Sequence, residues 1–111
     1  MDIKTDNLKR CVLITVSGRI DSATSPQLKH PFQDVMDAGQ HKIVLDMEGV
    51  DFISSAGLWV LVDAQKKCKR FNRGELLLAC ISQRVRSALE LAGFDRYFQL
   101  FDETIQAVGS F

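Results

Sequence analysis

Two short apolar runs constrain the fold of this 111-residue chain more than any other feature. Residues 43–45 and 76–79 are continuous rather than alternating, which is typical of strands buried on both faces of a helix-covered sheet. Each run is followed by a segment with helical spacing, over residues 55–71 and 83–92. Strands that alternate with helices in this way predict a largely parallel sheet with crossover helices.

The first part of the chain predicts two more strands and a helix. Residues 2–7 alternate weakly and residues 10–17 alternate clearly between apolar and polar side chains, so the first forms an edge strand. Ser25 precedes a proline, which favours a helix N-cap there, and Gly39 suits the end of that helix. Pro31 removes one backbone hydrogen bond inside the pattern and predicts a kink or a later start.

The last part of the chain predicts one more strand and one more helix. Residues 97–101 favour a strand, and Asp102 is placed to cap a final helix. The predicted element order is therefore β-β-α-β-α-β-α-β-α. We expect a single α/β domain over residues 1–111, with a mixed, mostly parallel sheet of four or five strands and about four helices.

Charge and hydropathy exclude several classes of protein. Lys plus Arg and Asp plus Glu both number 14, so there is no basic excess of the kind that nucleic-acid or membrane-surface proteins carry. The apolar runs are much shorter than the roughly 20 residues of a membrane-spanning helix. The first residues lack the character of a signal peptide. We therefore expect a cytoplasmic protein without direct membrane insertion or nucleic-acid binding.

The three cysteines predict no metal or redox site. Cys11 and Cys80 lie in strand-like runs, Cys68 lies on a helical apolar face, and no C-x-x-C pair occurs. Free buried thiols that pack as small hydrophobic groups are the expected state. No cofactor is predicted either.

The junction before the longest helical segment carries the most chemistry. Ser54, Ser55 and Gly57 follow a buried strand, and free N–H groups at the start of a helix attract anions. Either serine is placed to bind a phosphate group or to be phosphorylated itself. Ser54 is the better N-cap, which puts Ser55 at the first helical position with a hydroxyl free for chemistry.

Helical spacing sorts the residues after this junction into two faces. Ser55 and Trp59 share one face with charged residues, whereas Gly57 and Leu61 lie on the opposite, apolar face. The apolar face is completed by Val60, Ala64, Cys68 and Phe71. Close approach of the helix to the sheet explains why residue 57 is a glycine. Trp59 is either a partly exposed side chain that covers its neighbours or a binding anchor beside the hydroxyl, and we favour the anchor.

Three segments together resemble the STAS domains of the anti-sigma factor antagonist family. Residues 44–58 (VLDMEGVDFISSAGL) resemble its signature, residues 18–21 (GRID) its loop after the second strand, and residues 89–94 (LELAGF) its segment near the end. The segments occur in the family's order and spacing across almost the whole chain. The resemblance implies a STAS-like fold and a phosphorylated protein that switches partners.

The resemblance also implies the partners of such a switch. In that family a serine kinase of the histidine-kinase-like ATPase fold, which doubles as an anti-sigma factor, phosphorylates the serine that matches Ser55. A metal-dependent serine phosphatase reverses the modification. The unphosphorylated protein binds the kinase and releases a sigma factor or another target. Ser54 stands where several members have aspartate, so it is a second-choice acceptor.

The expected docking patch combines the junction with the loop after the second strand. It comprises Asp21, Ser54, Ser55, Gly57, Leu58 and Trp59. Its function is binding, and no enzyme activity is predicted for the chain.

Three alternatives remain open from the sequence. A STAS scaffold or an accessory subunit of a transporter keeps the fold without phosphorylation. A response-regulator receiver domain would use Asp46, but the chain lacks the acidic pair and the lysine that receivers need. An enzyme would need a catalytic partner for the serines, and His30 and His41 supply none that the pattern reveals.

Overall fold

A five-stranded mixed sheet organises residues 1–111, all of which the computed structural model describes. The elements in order are β1 (Asp2–Asn7), β2 (Val12–Ser17), α1 (Ser25–Asp37), β3 (Lys42–Gly49), α2 (Ser55–Cys68), β4 (Glu75–Ala79), α3 (Gln83–Leu91), β5 (Leu100–Phe101) and α4 (Thr104–Gly109). The strands lie side by side in chain order, with β1 antiparallel to β2 and all other neighbours parallel. The predicted α/β class and element order are confirmed.

The two faces of the sheet are covered by different helices, which explains the continuous apolar runs. Ile43 and Leu45 belong to the main core of 22 buried residues, packed under α1, α2 and α3. Val44 points the other way, into a cluster of five buried residues that includes Ala107 of α4. Because residues 43–45 are buried on both faces of β3, this part of the strand lacks the polar residues that alternation would require.

The ends of α1 differ from the prediction. Thr24 is the N-cap residue and Ser25 is already helical and buried, so the predicted cap lies one residue late. The helix continues through Pro31, and a later start is therefore wrong. Leu28 and Phe32 are buried against the core, and this packing outweighs the one hydrogen bond that proline removes.

Other element ends are also displaced. α2 ends at Cys68 rather than near Phe71. The chain then turns back on the helix end, and at Gly74 any side chain would collide with the backbone oxygen of Cys68. β5 holds two residues, not the five predicted. Asp102 is not a cap, since α4 has Glu103 as its N-cap residue and no side-chain capping bond.

The three thiols are free, as predicted, but they differ in exposure. Cys11 and Cys68 are buried, and Cys80 is partly exposed with its sulfur 3.5 Å from the Thr104 hydroxyl. Burial and, to a smaller extent, the Glu75 carboxylate raise the pKa of Cys68 to about 11. Burial also raises the pKa of Cys11, against a smaller lowering by Lys42. A raised pKa leaves little of the reactive thiolate near neutral pH.

Alkylation should therefore distinguish the cysteines. At mildly alkaline pH we expect iodoacetamide to modify Cys80 in the folded protein, and to reach Cys11 and Cys68 only after denaturant is added. Mass spectrometry of the intact protein and its peptides would count and place the modifications. A Cys80→Ser variant is the control and should show no rapid reaction. Rapid native modification of Cys68 would contradict the prediction.

Candidate functional site

Two loops are hydrogen-bonded together where β2 and β3 end. Ile20 donates its N–H to the carbonyl of Phe52 at 3.1 Å, and Ser54 donates its N–H to the carbonyl of Ile20 at 2.8 Å. Ile20 also forms a parallel bridge with Ile53. The loop before α1 and the segment that leads into α2 therefore form one rigid edge, from which α2 begins.

Ser54 and Ser55 have different roles in the start of α2. Ser54 is the N-cap, and its hydroxyl accepts the N–H of Gly57 at 3.2 Å. Ser55 is the first helical residue and is exposed. The N–H groups of Ser55 and Ala56 have no acceptor within the helix, as at any helix start. The Ser55 hydroxyl is therefore not needed to cap the helix. It lies beside backbone N–H groups that lack a helical acceptor, where negative charge is favoured.

Gly57 lets the helix approach the loops closely. A Cβ atom built there would lie 2.6 Å from Cγ2 of Ile20 and 2.8 Å from Cγ1 of Ile53. The close approach inferred from the sequence is confirmed. Leu58 is only 5% exposed and belongs to the main core. Gly57 and Leu58 were both expected in the docking patch, but their burial means that they position the helix and offer little surface to a partner.

This contact makes a prediction about stability. Gly57→Ala should lower the free energy of unfolding by about 1 kcal/mol, because overpacking costs roughly 1–3 kcal/mol and exceeds the helix-propensity gain of about 0.5–1 kcal/mol. Gly109→Ala is the matched control, since nothing lies within 4 Å of that position and it is also helical. Urea unfolding would compare them. Equal stability of the two variants would contradict the prediction.

Trp59 lies outside the core on the same face of α2 as Ser55. Its side chain is 57% exposed. The indole makes an edge contact with the ring of Phe94, whose centroid is 5.3 Å away. Ser55, Trp59 and Phe94 are hereafter called the α2 surface. Phe94 joins this surface only through the tertiary fold, and it was not among the residues predicted for the docking patch.

The carboxylate of Asp21 mainly orders its own loop. Its Oδ1 accepts the N–H groups of Thr24 at 3.0 Å and Ala23 at 2.9 Å. The Thr24 hydrogen bond is the main cause that holds the pKa of Asp21 below its usual value, with smaller contributions from Ala23 and Arg19. Asp21 was expected to contact a partner, and the structure shows that its hydrogen-bonding capacity is largely used internally.

Arg19 and Phe52 form a pair that the sequence did not reveal. The guanidinium carbon of Arg19 lies 3.8 Å from the centroid of the Phe52 ring, and its Nε lies 3.5 Å from Oδ2 of Asp21. Phe52 also lines a groove of about 350 Å³ between the segment before α2 and helix α3. Leu91, which is 91% exposed, lies at the same groove. An apolar groove with a neighbouring cation thus adjoins the start of α2.

One cluster at this edge of the sheet has groups that metals use. Asp46, Glu48 and Cys80 offer ligand atoms within 4.8 Å of one another. The Asp46 carboxylate already accepts the N–H of Glu48 at 3.0 Å, which gives it a structural role. Exposed acidic groups often gather without a metal, so the arrangement by itself defines no metal site.

Comparison with known proteins assigns the class of this protein. The family model for the STAS domain matches residues 2–107. The chain belongs to the STAS domain family, as its sequence motifs predicted. None of its helices is long and apolar enough to cross a membrane.

Individual relatives carry names from the same regulatory group. BtrV of Bordetella bronchiseptica, a candidate anti-sigma factor antagonist, is 30% identical over 111 residues, which cover 100% of this chain and 95% of the relative. An anti-sigma-factor antagonist domain protein from Planctomyces limnophilus has a solved structure with a TM-score of 0.89 at 22% identity, over 99% of this chain and 97% of that one.

One solved structure with the same fold is that of a phosphorylated protein. The Bacillus cell fate determinant SpoIIAA in its phosphorylated form has a TM-score of 0.76 at 16% identity, with 98% of each chain covered. At identities this low, the two solved structures show a shared fold alone.

Proposed function

We propose that the chain is an anti-sigma factor antagonist that acts by exchanging partners. In its unphosphorylated form it binds an anti-sigma factor with serine kinase activity and thereby frees a sigma factor or another target. The observation that carries the proposal is the exposed Ser55 hydroxyl at the first position of α2, beside Trp59, with capping left to Ser54. The name of the relative BtrV supports the same role.

Phosphorylation of Ser55 would change the surface without unfolding it. A phosphoserine carries about −1.5 to −2 charges near pH 7. The positive end of α2 and the free N–H groups of Ser55 and Ala56 stabilise that charge locally. A partner shaped to cover a small hydroxyl beside Trp59 would have to desolvate a dianion, which costs several kcal/mol when the charge stays unpaired.

The remaining parts of the proposal follow from the family resemblance. The kinase has the histidine-kinase-like ATPase fold, and a metal-dependent serine phosphatase restores the hydroxyl. The chain itself contributes a binding surface and a phosphate acceptor and performs no catalysis. Such a cycle runs in the cytoplasm, where ATP and sigma factors occur.

The direct test is phosphopeptide mass spectrometry. We expect incubation with ATP and a serine kinase of this fold from the same genome to add one phosphate, at Ser55. Ser55→Ala should abolish the modification. Ser54→Ala should retain it, although loss of the cap costs roughly 0.5–2 kcal/mol of stability. Phosphate found only on Ser54, or only outside α2, would remove Ser55 from the mechanism, and no phosphate at all would favour the scaffold or transporter alternatives.

A further inference from the structure

Two grooves adjoin each other at the edge of the sheet where β3 and β4 begin. Their volumes are about 380 and 230 Å³, and Lys42 lines both. This edge lies beyond the last turn of α2, whereas Ser55 is in its first turn. A helix of 14 residues spans about 20 Å at 1.5 Å per residue, so the two regions are well separated.

The charged side chains that line these grooves are mainly cationic, three cations to one carboxylate. Arg10 and Lys42 line the smaller groove, and Lys42 and Arg73 line the larger one. Glu75 is the one acidic side chain in either lining, and it accepts a hydrogen bond from Gln99 at 2.9 Å. Lys9, beside Arg10 in the chain, is exposed as well.

None of these three cations forms a salt bridge within the protein, although Glu75 lies opposite Lys42 in the register of β3 and β4. The three salt bridges of the chain join Lys4 to Asp6, Arg19 to Asp21 and Lys67 to Asp63, all elsewhere. Arg10 makes one weak contact, from Nη1 to the main-chain oxygen of Phe111 at 3.3 Å. Because the whole chain has no net charge, an excess of cations at this end reflects segregation of charge and not a general excess of basic residues.

An exposed aromatic pair lies among these cations. Phe71 is 51% exposed, although the sequence placed it on the apolar face of α2. Its ring stacks on His41 with centroids 3.5 Å apart and an angle of 20° between the planes. Both residues line the smaller groove beside Arg10 and Lys42. Aromatic and arginine side chains in a water-accessible groove are the residue types that anchor protein interfaces.

We propose that this basic end, formed by Arg10, His41, Lys42, Phe71 and Arg73, binds an acidic segment of a partner protein. Carboxylates of the segment pair with the two arginines and the lysine, and the planar guanidinium groups suit bidentate contacts with carboxylates. An apolar residue between the carboxylates packs on the stacked rings of Phe71 and His41.

An acidic protein segment fits this end better than a nucleic acid. Nucleic-acid affinity rests on many phosphate contacts and on long-range attraction to a basic domain. The chain has equal numbers of cationic and anionic residues, so that attraction is missing, and three cations line the grooves. Because the α2 surface lies about 20 Å away, a partner held here stays bound whatever the state of Ser55.

Fluorescence anisotropy with defined probes would test the proposal. The probes are labelled decaglutamate, the same peptide with one central phenylalanine, and an oligodeoxythymidine of matched charge. We expect the phenylalanine-containing peptide to bind most tightly. The double variant Arg10→Gln/Arg73→Gln should weaken its binding at least tenfold, and Phe71→Ser should abolish its advantage over decaglutamate. Two-dimensional NMR spectra would show that these variants keep the fold.

Lys29→Gln/Lys66→Gln is the matched control. It removes the same number of positive charges from exposed helical positions outside the grooves, and it should leave peptide binding unchanged. Failure of the wild type to bind either peptide at low salt would overturn the proposal, as would equal losses in the two double variants. Tighter binding of the oligodeoxythymidine than of both peptides would reassign the basic end to nucleic acid. None of these outcomes depends on phosphorylation of Ser55.

Discussion

Replacement of Gln65 by leucine is expected to lower the free energy of unfolding by about 3 kcal/mol, mainly because it leaves buried backbone groups unpaired. Gln65 is completely buried in α2. Its Oε1 accepts the N–H of Leu76 at 2.7 Å, and its Nε2 donates to the carbonyls of Leu76 at 3.1 Å and Tyr97 at 3.2 Å. The side chain thus makes the hydrogen bonds to β4 that a neighbouring strand would make.

The need for this side chain follows from the shortness of β5. β4 pairs with β5 only at Leu78 and Ala79, so the outer edge of Leu76 has no strand beside it. Leucine would gain apolar contacts but could satisfy none of the three hydrogen bonds. Each unsatisfied buried group costs about 1–3 kcal/mol, which exceeds the gain from one apolar side chain.

Gln33→Leu provides the comparison. Gln33 is exposed on α1, and its amide bonds only the Asp37 carboxylate, at 2.7 Å. Its replacement should change stability by no more than about 0.5 kcal/mol. Urea unfolding followed by circular dichroism would measure both variants. Similar midpoints for Gln65→Leu and Gln33→Leu would show that the buried amide contributes little.

Gln65 also shows why one part of the fold could not be predicted. The continuous apolar runs and the helical spacing after them are local features, and they were enough to give the order of all nine elements. The hydrogen bonding at the outer edge of β4 depends instead on contacts between residues 11 and 32 positions apart, where the amide of Gln65 takes the place of strand pairing. A glutamine in a helical segment carries no local sign of such a partner.

The features of the candidate site also divide into local ones, which the sequence predicts, and contacts between distant segments, which it does not. The cap at Ser54 and the outward direction of Ser55 depend on position in one helix, and spacing alone predicted both. The stacking of Arg19 on Phe52 and the contact of Trp59 with Phe94 join segments distant in the chain. Leu58 was assigned to the patch because it neighbours the serines, whereas its direction from the helix buries it.

The second large effect is expected on partner binding. Ser55→Glu should weaken binding to the proposed partner, an anti-sigma factor kinase, at least a hundredfold, whereas Ser55→Ala should change it by less than about threefold. A hundredfold corresponds to about 2.8 kcal/mol, which is within the penalty for covering one unpaired carboxylate. Trp59→Ala should also weaken binding, since it removes exposed aromatic surface without adding charge. Isothermal titration calorimetry would measure each affinity.

Gln106→Glu tests whether the effect of Ser55→Glu depends on where the new charge lies or only on its presence. Gln106 is exposed on α4, on the opposite face of the sheet from α2, so an equal charge there should leave the affinity unchanged. If Ser55→Glu and Gln106→Glu bound the kinase equally well, the partner would not cover Ser55. Glutamate carries one negative charge and phosphoserine up to two, so the phosphorylated protein should bind more weakly than Ser55→Glu. That order of affinities follows only if the partner excludes water from the start of α2.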